Sequence, residues 1–435
     1  MKKVKITSWS YTLPTTTYLA AYEEQQNQLW RQTEMPFIPR GNGRSYGDAA
    51  YVTDGLTLSS QKLDGIGQLD AVNGLIECSA GVTIGALHRY LEEHGQGWAF
   101  PIYGGTQWGT IGGATAVDIH GKNDVVQGSF GNHVAAFKLV APDGQTLDCA
   151  QASQPDLFAA TIGGMGLTGL IKTVTLKLQR RLARALHVRS QMVPIGAQVL
   201  DAFETTACDF QFFSCAGCTF ATCPGLYAYA TYSDEVIHST RKPIDLPTPT
   251  INLCRPSLVP VVNQLQRWLV GHRDEVVHIR DFNYIGPHEY FKQFNKLCGS
   301  LIEYQFVVAA EQIETALTEL FKIYQQKSLL CYGYVLKKLG TMPRAGLLSF
   351  PKAGYTVSFL VQNKPDAHKF LIDFTDLIIE LGGRIYLAKD SCILARQFER
   401  MYDQLDQWRT IVRQLDPTNR VQSDLSIRLG MKPWG

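Results

Sequence analysis

The chain has no large excess of charge of either sign. Its 41 basic and 39 acidic side chains leave a net charge of +2, which removes the broad basic footprint expected of a nucleic-acid binder. No basic run interleaved with aromatic residues appears either. Nor is there a stretch of about eighteen apolar residues to span a bilayer. The N-terminus begins MKKVK, the charged start of a signal peptide, but the apolar stretch and small-residue cleavage site do not follow. A cytoplasmic location is therefore expected. The two glycine-rich loops at 40–48 and 112–123 do not fit the common nucleotide signatures: neither has the Rossmann spacing, and G-x-x-x-x-G-K-[ST] occurs nowhere in the chain.

Metal ligation has equally little to stand on. Four of the ten cysteines crowd together at Cys208, Cys215, Cys218 and Cys223. Cys215 and Cys218 have the spacing of half a zinc site, but no second C-x-x-C answers it. Without secretory features these read as reduced thiols on strands and turns, and no metal is expected.

The composition that is present describes a globular enzyme-sized protein. With 435 residues, 45% hydrophobic and 18% charged, the chain is long enough for two domains with large cores. Its most informative feature is a pair of glycine-rich segments about seventy residues apart, 40–48 (RGNGRSYGD) and 112–123 (GGATAVDIHGKN). Glycine permits positive φ and close backbone approach, so such segments can present N–H groups to an anionic ligand. Either one alone is equally well read as a tight turn. Two in one N-terminal region suggest a large phosphorylated cofactor.

Around them, short apolar runs alternate with turns. Residues 56–58, 74–80, 135–141 and 146–149 read as strands. Residues 83–94 read as a helix, with Ile84, Leu87 and Leu91 on one face, Thr83 as its cap and Gly95 at its end. Farther on, 210–213 and 226–232 look like a hairpin. Strands at 304–308 and 355–361 precede amphipathic helices at 313–324 and 366–381, the second ended by Gly382. A proline-rich stretch, 242–260, reads as a long loop, either a mobile cover over the site or a surface excursion without function. The fold class is α+β.

Segments 39–48, 103–106 (YGGT) and 112–114 resemble the FAD-binding segments of the vanillyl-alcohol oxidase type of flavoenzyme, with its PCMH-type FAD-binding domain. Within that superfamily, 118–123 (DIHGKN), 128–133 (GSFGNH) and 163–169 (GGMGLTG) are similar to the decaprenylphosphoryl-ribose 2′-oxidases. Members of that family form the flavin half of a two-enzyme epimerase in arabinan biosynthesis. The likeness continues in 304–306, 335–337, 382–391 and 415–417, and weakens between about 185 and 300. It implies an FAD-binding domain over 1–182, a substrate-binding domain with an antiparallel sheet over 183–383, and a return to the first domain over 384–435.

The resemblance also assigns roles. Arg40, Gly41, Asn42, Gly43, Arg44, Ser45, Tyr46 and Gly47 are expected at the cofactor, with Gly105, Thr106, Gly112, Gly113 and Ala114. Asp118, His120, Gly121, Asn123, Ser129, Gly169, Ile171 and Tyr386 complete that set. Several relatives carry a histidine at position 44 and bond it to the flavin; arginine cannot do so, so non-covalent FAD is expected. His120 is expected at the flavin, where an imidazole can take a proton near neutral pH, although a lone histidine is more often structural; His133 is read as structural. Lys389 can hydrogen-bond the substrate hydroxyl, steady the reduced ring, or act as a base if desolvated. Tyr46 is the third catalytic candidate. Tyr284, Glu303, Gln305, Lys337, Ser358 and Lys389 are expected at the substrate, Lys337 as a point charge for a phosphate. For each lysine the bland alternative is a solvated surface residue.

Two positions depart from the family. Glu303 stands in place of a glutamine and adds negative charge near an expected phosphate site. Ser358 stands where mycobacterial members carry a cysteine that reacts with covalent inhibitors, and serine lacks that nucleophilicity.

The expected activity is oxidation of a secondary sugar hydroxyl, on a polyprenyl-phosphate carrier, to a keto sugar by hydride transfer to flavin. It would be the first half of an epimerisation completed by a separate NAD(P)-dependent reductase. A lipid-linked substrate implies peripheral contact with the inner face of a membrane. The rival readings are a soluble aldonolactone or alditol oxidase using oxygen, and a flavin-containing accessory subunit; a nicotinamide-driven reductase is a weaker rival.

Overall fold

A computed structural model describes residues 1–23, 34–181, 183–216, 224–238, 272–284, 300–327 and 331–434. Cys218, Cys223 and the proline-rich stretch 242–260 lie outside the described residues.

The N-terminal part is built on two four-stranded sheets. Strands β1 (Lys2–Thr7), β2 (Pro14–Ala21), β3 (Phe37–Arg40) and β4 (Leu56–Ser59) form the first, in the order β1-β2-β4-β3, with β4 parallel to both β2 and β3. Strands β5 (Leu75–Ser79), β6 (Val134–Val140), β7 (Thr146–Ala150) and β8 (Leu170–Lys177) form the second, antiparallel in the order β5-β8-β6-β7. Between β5 and β6 come helices α1 (Ile84–His94) and α2 (Ile111–Val117). The hydroxyl of Thr83 accepts from the backbone N–H of Ala86 and caps α1, which buries Ile84, Leu87 and Leu91 along one face. Thr110 caps α2 in the same way, accepting from Gly113 N.

The second part is an eight-stranded antiparallel sheet of β9 (Ala185–Pro194), β10 (Phe210–Ala216), β11 (Pro224–Ser233), β12 (Arg273–His278), β13 (Leu301–Val308), β14 (Cys331–Leu339), β15 (Gly354–Gln362) and β16 (Arg384–Ile385). Their spatial order is β12-β9-β11-β10-β14-β15-β13-β16. Helices α3 (Ile313–Lys327) and α4 (Pro365–Glu380) pack on one face. Leu317, Leu320 and Phe321 of α3, and Phe370, Phe374 and Ile378 of α4, meet Tyr304, Phe306, Val357 and Phe359 in one buried cluster. Each such side chain stabilises by roughly 1.5–3 kcal/mol through burial alone.

Strand alternation sends every second residue to the opposite face. The residues between those apolar ones, Glu303, Gln305, Thr356 and Ser358, therefore point away from the helices, and so does Lys337 on β14. The register puts Gln305 across from Ser358 and Lys337 across from Thr356. A polar face on an otherwise hydrophobic sheet is the first structural sign of the site.

After β16 the chain packs on the N-terminal sheets. Val421 bridges to Phe37 at the edge of β3, and fully buried Trp408 donates from Nε1 to Ala160 O at 3.0 Å. Arg428 joins Asp48 and Asp390. The architecture is α+β with two domains.

Candidate active site

A long cleft runs between the glycine segments and the polar face of the large sheet, lined by residues of both.

The walls of one end are small. Residues 41–45, Gly104, Gly105, Thr106, Gly109, Gly112, Gly113, Ala114, Gly166, Gly169 and Ile171 all line it. Some of these glycines serve protein packing: a Cβ at Gly41 would lie 2.2 Å from Thr110 Oγ1, and Gly43, at φ +60°, has the Arg40 guanidinium against it. Others keep the cleft open. An added Cβ at Gly109 or Gly166 would meet no protein atom nearer than 3.5 Å or 3.9 Å, so it would intrude on cleft space. Asn42 ties the first segment to the second loop, donating from Nδ2 to Trp108 O at 3.0 Å. Arg44 lies over the indole of Trp9 at 3.8 Å. Arg40 both lines the cleft and donates to Ala50 O at 3.0 Å.

The other end carries the chemistry. His120, Gln305, Lys337, Tyr386 and Lys389 line it, with Tyr46. Lys389 follows β16 on a short turn; its ammonium donates to Glu303 and to Ser358 Oγ, the latter at 3.1 Å, and lies 5.4 Å from the Tyr46 ring. Glu303 and Ser358 sit just behind the lining. Gln305 Nε2 is 2.8 Å from His120 Nε2 and donates to Thr356 Oγ1 at 2.8 Å. His120 is 6% exposed, and its Nδ1 is buried with no hydrogen-bond partner. Its ring is flanked by Phe350 and Tyr386, each 5.3 Å away.

Burial and like charge set the protonation states. Burial, then Lys337, Lys389 and Arg344, hold His120 well below the usual histidine range. Burial, then the Lys389 ammonium, pushes Lys337 down to about 8. Burial also raises the Tyr386 phenol, with Asp118 adding to it.

Other expected site residues fall outside the lining. Gly47 packs against the Asp390 carbonyl. Asp118, in the left-handed conformation at φ 46°, ends α2; its carboxylate accepts from Gly131 N at 2.7 Å and Ser129 Oγ at 2.9 Å. Gly121 lies against the Tyr103 carbonyl, and Asn123 donates to Pro101 O at 2.8 Å. These residues shape the loop that delivers His120. Tyr284 is buried beside His88 and Tyr103. His133 hydrogen-bonds Gln127 O at 2.8 Å, away from the cleft.

The sequence alone did not single out Lys122, Thr356 or Trp9. Lys122 donates to Phe282 O at 2.7 Å between the rings of Phe212 and Phe282, and burial followed by Lys337 pushes it down to about 7. Thr356 shares a strand face with Ser358 two positions on, which the alternation of β15 already implied. Trp9 has no local signal, because its contact with Arg44 is made by an N-terminal hairpin. No group of three or more metal-ligating side chains occurs among the described residues.

Comparison with known proteins agrees with this geometry. An FAD binding domain family matches residues 20–150. The decaprenylphosphoryl-beta-D-ribose oxidase of Mycolicibacterium smegmatis is 30% identical over an alignment covering 98% of this chain and 97% of that protein. The chain belongs to the decaprenylphosphoryl-ribose oxidase family. It is an FAD-dependent oxidoreductase, and nothing at position 44 offers a covalent bond to the flavin. An uncharacterized protein from the mprA 5′ region of Streptomyces coelicolor is 28% identical over 77% of this chain and 96% of its own length. Likeness to the L-gulonolactone oxidase of Mus musculus, at 31%, is confined to 34% of this chain and 33% of that enzyme. FAD fits the cleft: glycines leave space at one end, and at the other a buried imidazole nitrogen lacks a protein partner beside two lysines.

Proposed function

We propose that the enzyme oxidises a secondary hydroxyl of a polyprenyl-phosphate-linked sugar to the keto sugar, the first half of an epimerisation that a separate NAD(P)-dependent reductase completes. Full-length similarity to a decaprenylphosphoryl-ribose oxidase supports this substrate class. The observation that carries it is Lys337: this cation lines the chemical end of the cleft, and no hydrogen bond or ion pair holds it among the described residues. An anionic group on the substrate would give it a partner.

Bound FAD supplies the acceptor for the hydride. The glycine segments, residues 41–46 with 104–106 and 112–114, would hold it non-covalently. Lys389, anchored by Glu303 and Ser358, would hydrogen-bond the substrate hydroxyl and offset negative charge that develops nearby. Tyr46 and Tyr386 bound the site and help exclude water. A lipid-linked substrate brings the enzyme to a membrane surface; no helix among the described residues is long and apolar enough to cross one.

The test is anaerobic bleaching of the flavin by polyprenyl-phosphoryl pentose, set against free alditols and aldonolactones. Bleaching by the lipid-linked sugar alone is expected. The partial likeness to L-gulonolactone oxidase favours the second reading, a soluble carbohydrate oxidase. Bleaching by free lactones with a matching yield of peroxide would select it.

A further inference from the structure

Three hydrogen bonds behind His120 fix one another's donors and acceptors. Thr356 Oγ1 lies 2.8 Å from the carbonyl of Phe306, which can only accept, so the threonine proton is committed there. Oγ1 must then accept from its other neighbour, the Gln305 amide at 2.8 Å. Only the NH2 end of that amide can donate, which fixes its orientation. The same nitrogen lies 2.8 Å from His120 Nε2. A nitrogen already acting as donor needs a lone pair opposite it, so Nε2 is unprotonated and the ring proton sits on Nδ1. Nδ1 is buried and meets no protein acceptor, in a residue that lines the cleft.

We propose that Thr356 is a positioning residue which, through Gln305, locks His120 as its Nδ1–H tautomer, so that His120 serves the reaction as a hydrogen-bond donor and not as the base. The charged groups around the ring agree. Lys337 on β14, Lys389 beyond β16 and Arg344 before β15 are all cationic and disfavour an imidazolium. Asp118, two residues before the ring, turns its carboxylate to Gly131 and Ser129 instead. A neutral ring whose one N–H has no protein acceptor is the arrangement that polarises an acceptor without exchanging a proton. The idea deepens the hydride-transfer reading and rests on it for what the donor meets in the cleft.

The test begins without substrate. Histidine-selective 15N NMR of the FAD-loaded enzyme, assigned by difference from His120→Gln, should show the Nδ1–H tautomer throughout the neutral range. Thr356→Val should convert it to Nε2–H or a mixture, and Thr356→Ser should restore it. A second measurement is independent of the threonine variants. His120→Ala should slow flavin reduction about 100-fold, as for loss of one preorganised donor, whereas His120→Gln, which keeps an N–H donor, should stay within about tenfold. An Nε2–H ring in the native enzyme, or a tautomer unmoved by Thr356→Val, overturns the proposal; so does His120→Gln as slow as His120→Ala, the pattern of a lost base. If no polyprenyl-phosphoryl sugar bleaches the flavin while the ring reads Nδ1–H, the substrate assignment fails and the positioning role stands.

Discussion

Glu303 and Lys389 form a buried ion pair, and Ser358 Oγ donates at 2.6 Å to the same carboxylate oxygen. Their side chains are only 3% and 15% exposed. Removing one partner from such a pair leaves an uncompensated charge, at about 3–5 kcal/mol. Glu303→Ala should therefore lower the urea midpoint markedly with an unchanged slope. Glu303→Gln, which can still accept from Ser358 and from the ammonium, should lose much less. It should also tighten an anionic substrate by removing a carboxylate beside it. A weaker KM for the phosphorylated sugar in Glu303→Gln would refute that electrostatic assignment.

Lys337 supplies a pH test. Burial and the Lys389 ammonium bring it down to about 8, so its cation is present below that pH and fades above it. Affinity for a phosphorylated substrate should be level below about pH 7 and weaken above about pH 8. Lys337→Met should raise KM roughly 10- to 100-fold, the worth of a charge-assisted hydrogen bond. It should also abolish the alkaline fall, while FAD content stays unchanged. Persistence of the same fall in Lys337→Met would assign it to another group.

Much of this was legible in the sequence, for identifiable reasons. Helix α1 announced itself through the spacing of Ile84, Leu87 and Leu91 between Thr83 and Gly95, all local signals. The two glycine segments stood out because backbone approach leaves a compositional trace. The first sheet did not: β1 alternates lysine with apolar residues and reads as a charged terminus, and its parallel pairing through β4 joins distant segments. Arg44 on Trp9, and Thr356 behind Gln305, are likewise products of tertiary register. A period of two places Thr356 and Ser358 on one face, but only the pairing of β13 with β15 says which face meets His120.

The C-terminal residues are held by a second buried network. Arg428 donates to both oxygens of Asp48 at 2.9 Å and to Asp390 Oδ2 at 2.8 Å. It thereby ties the last helical turn to the first glycine segment and to the turn carrying Lys389. Arg428→Met leaves two buried carboxylates facing each other, so a loss of about 3–5 kcal/mol is expected. Because Asp48 and Asp390 are the chain neighbours of Ala49 and Lys389, which line the cleft, the same variant should retain FAD less well. Native stability by urea denaturation together with full FAD occupancy would show that the network holds neither.

Ser358 bears on covalent inhibition. A thiol at this position would replace the hydroxyl that now donates to Glu303 and lies 3.1 Å from the Lys389 ammonium. The ammonium favours thiolate, but the carboxylate favours the protonated thiol, and the burial of the site adds to the latter. The native enzyme should therefore take no label at position 358 from a thiol-directed reagent, and Ser358→Cys alone should react slowly. Adding Glu303→Gln removes the opposing charge and leaves the cation, so the double variant should label at least about tenfold faster. Peptide mass mapping reads the modified site directly, which separates it from the partly exposed Cys208. Equal rates in the single and double variants would mean that Glu303 does not govern ionisation there, and the ion pair would then be a structural anchor for Lys389 alone.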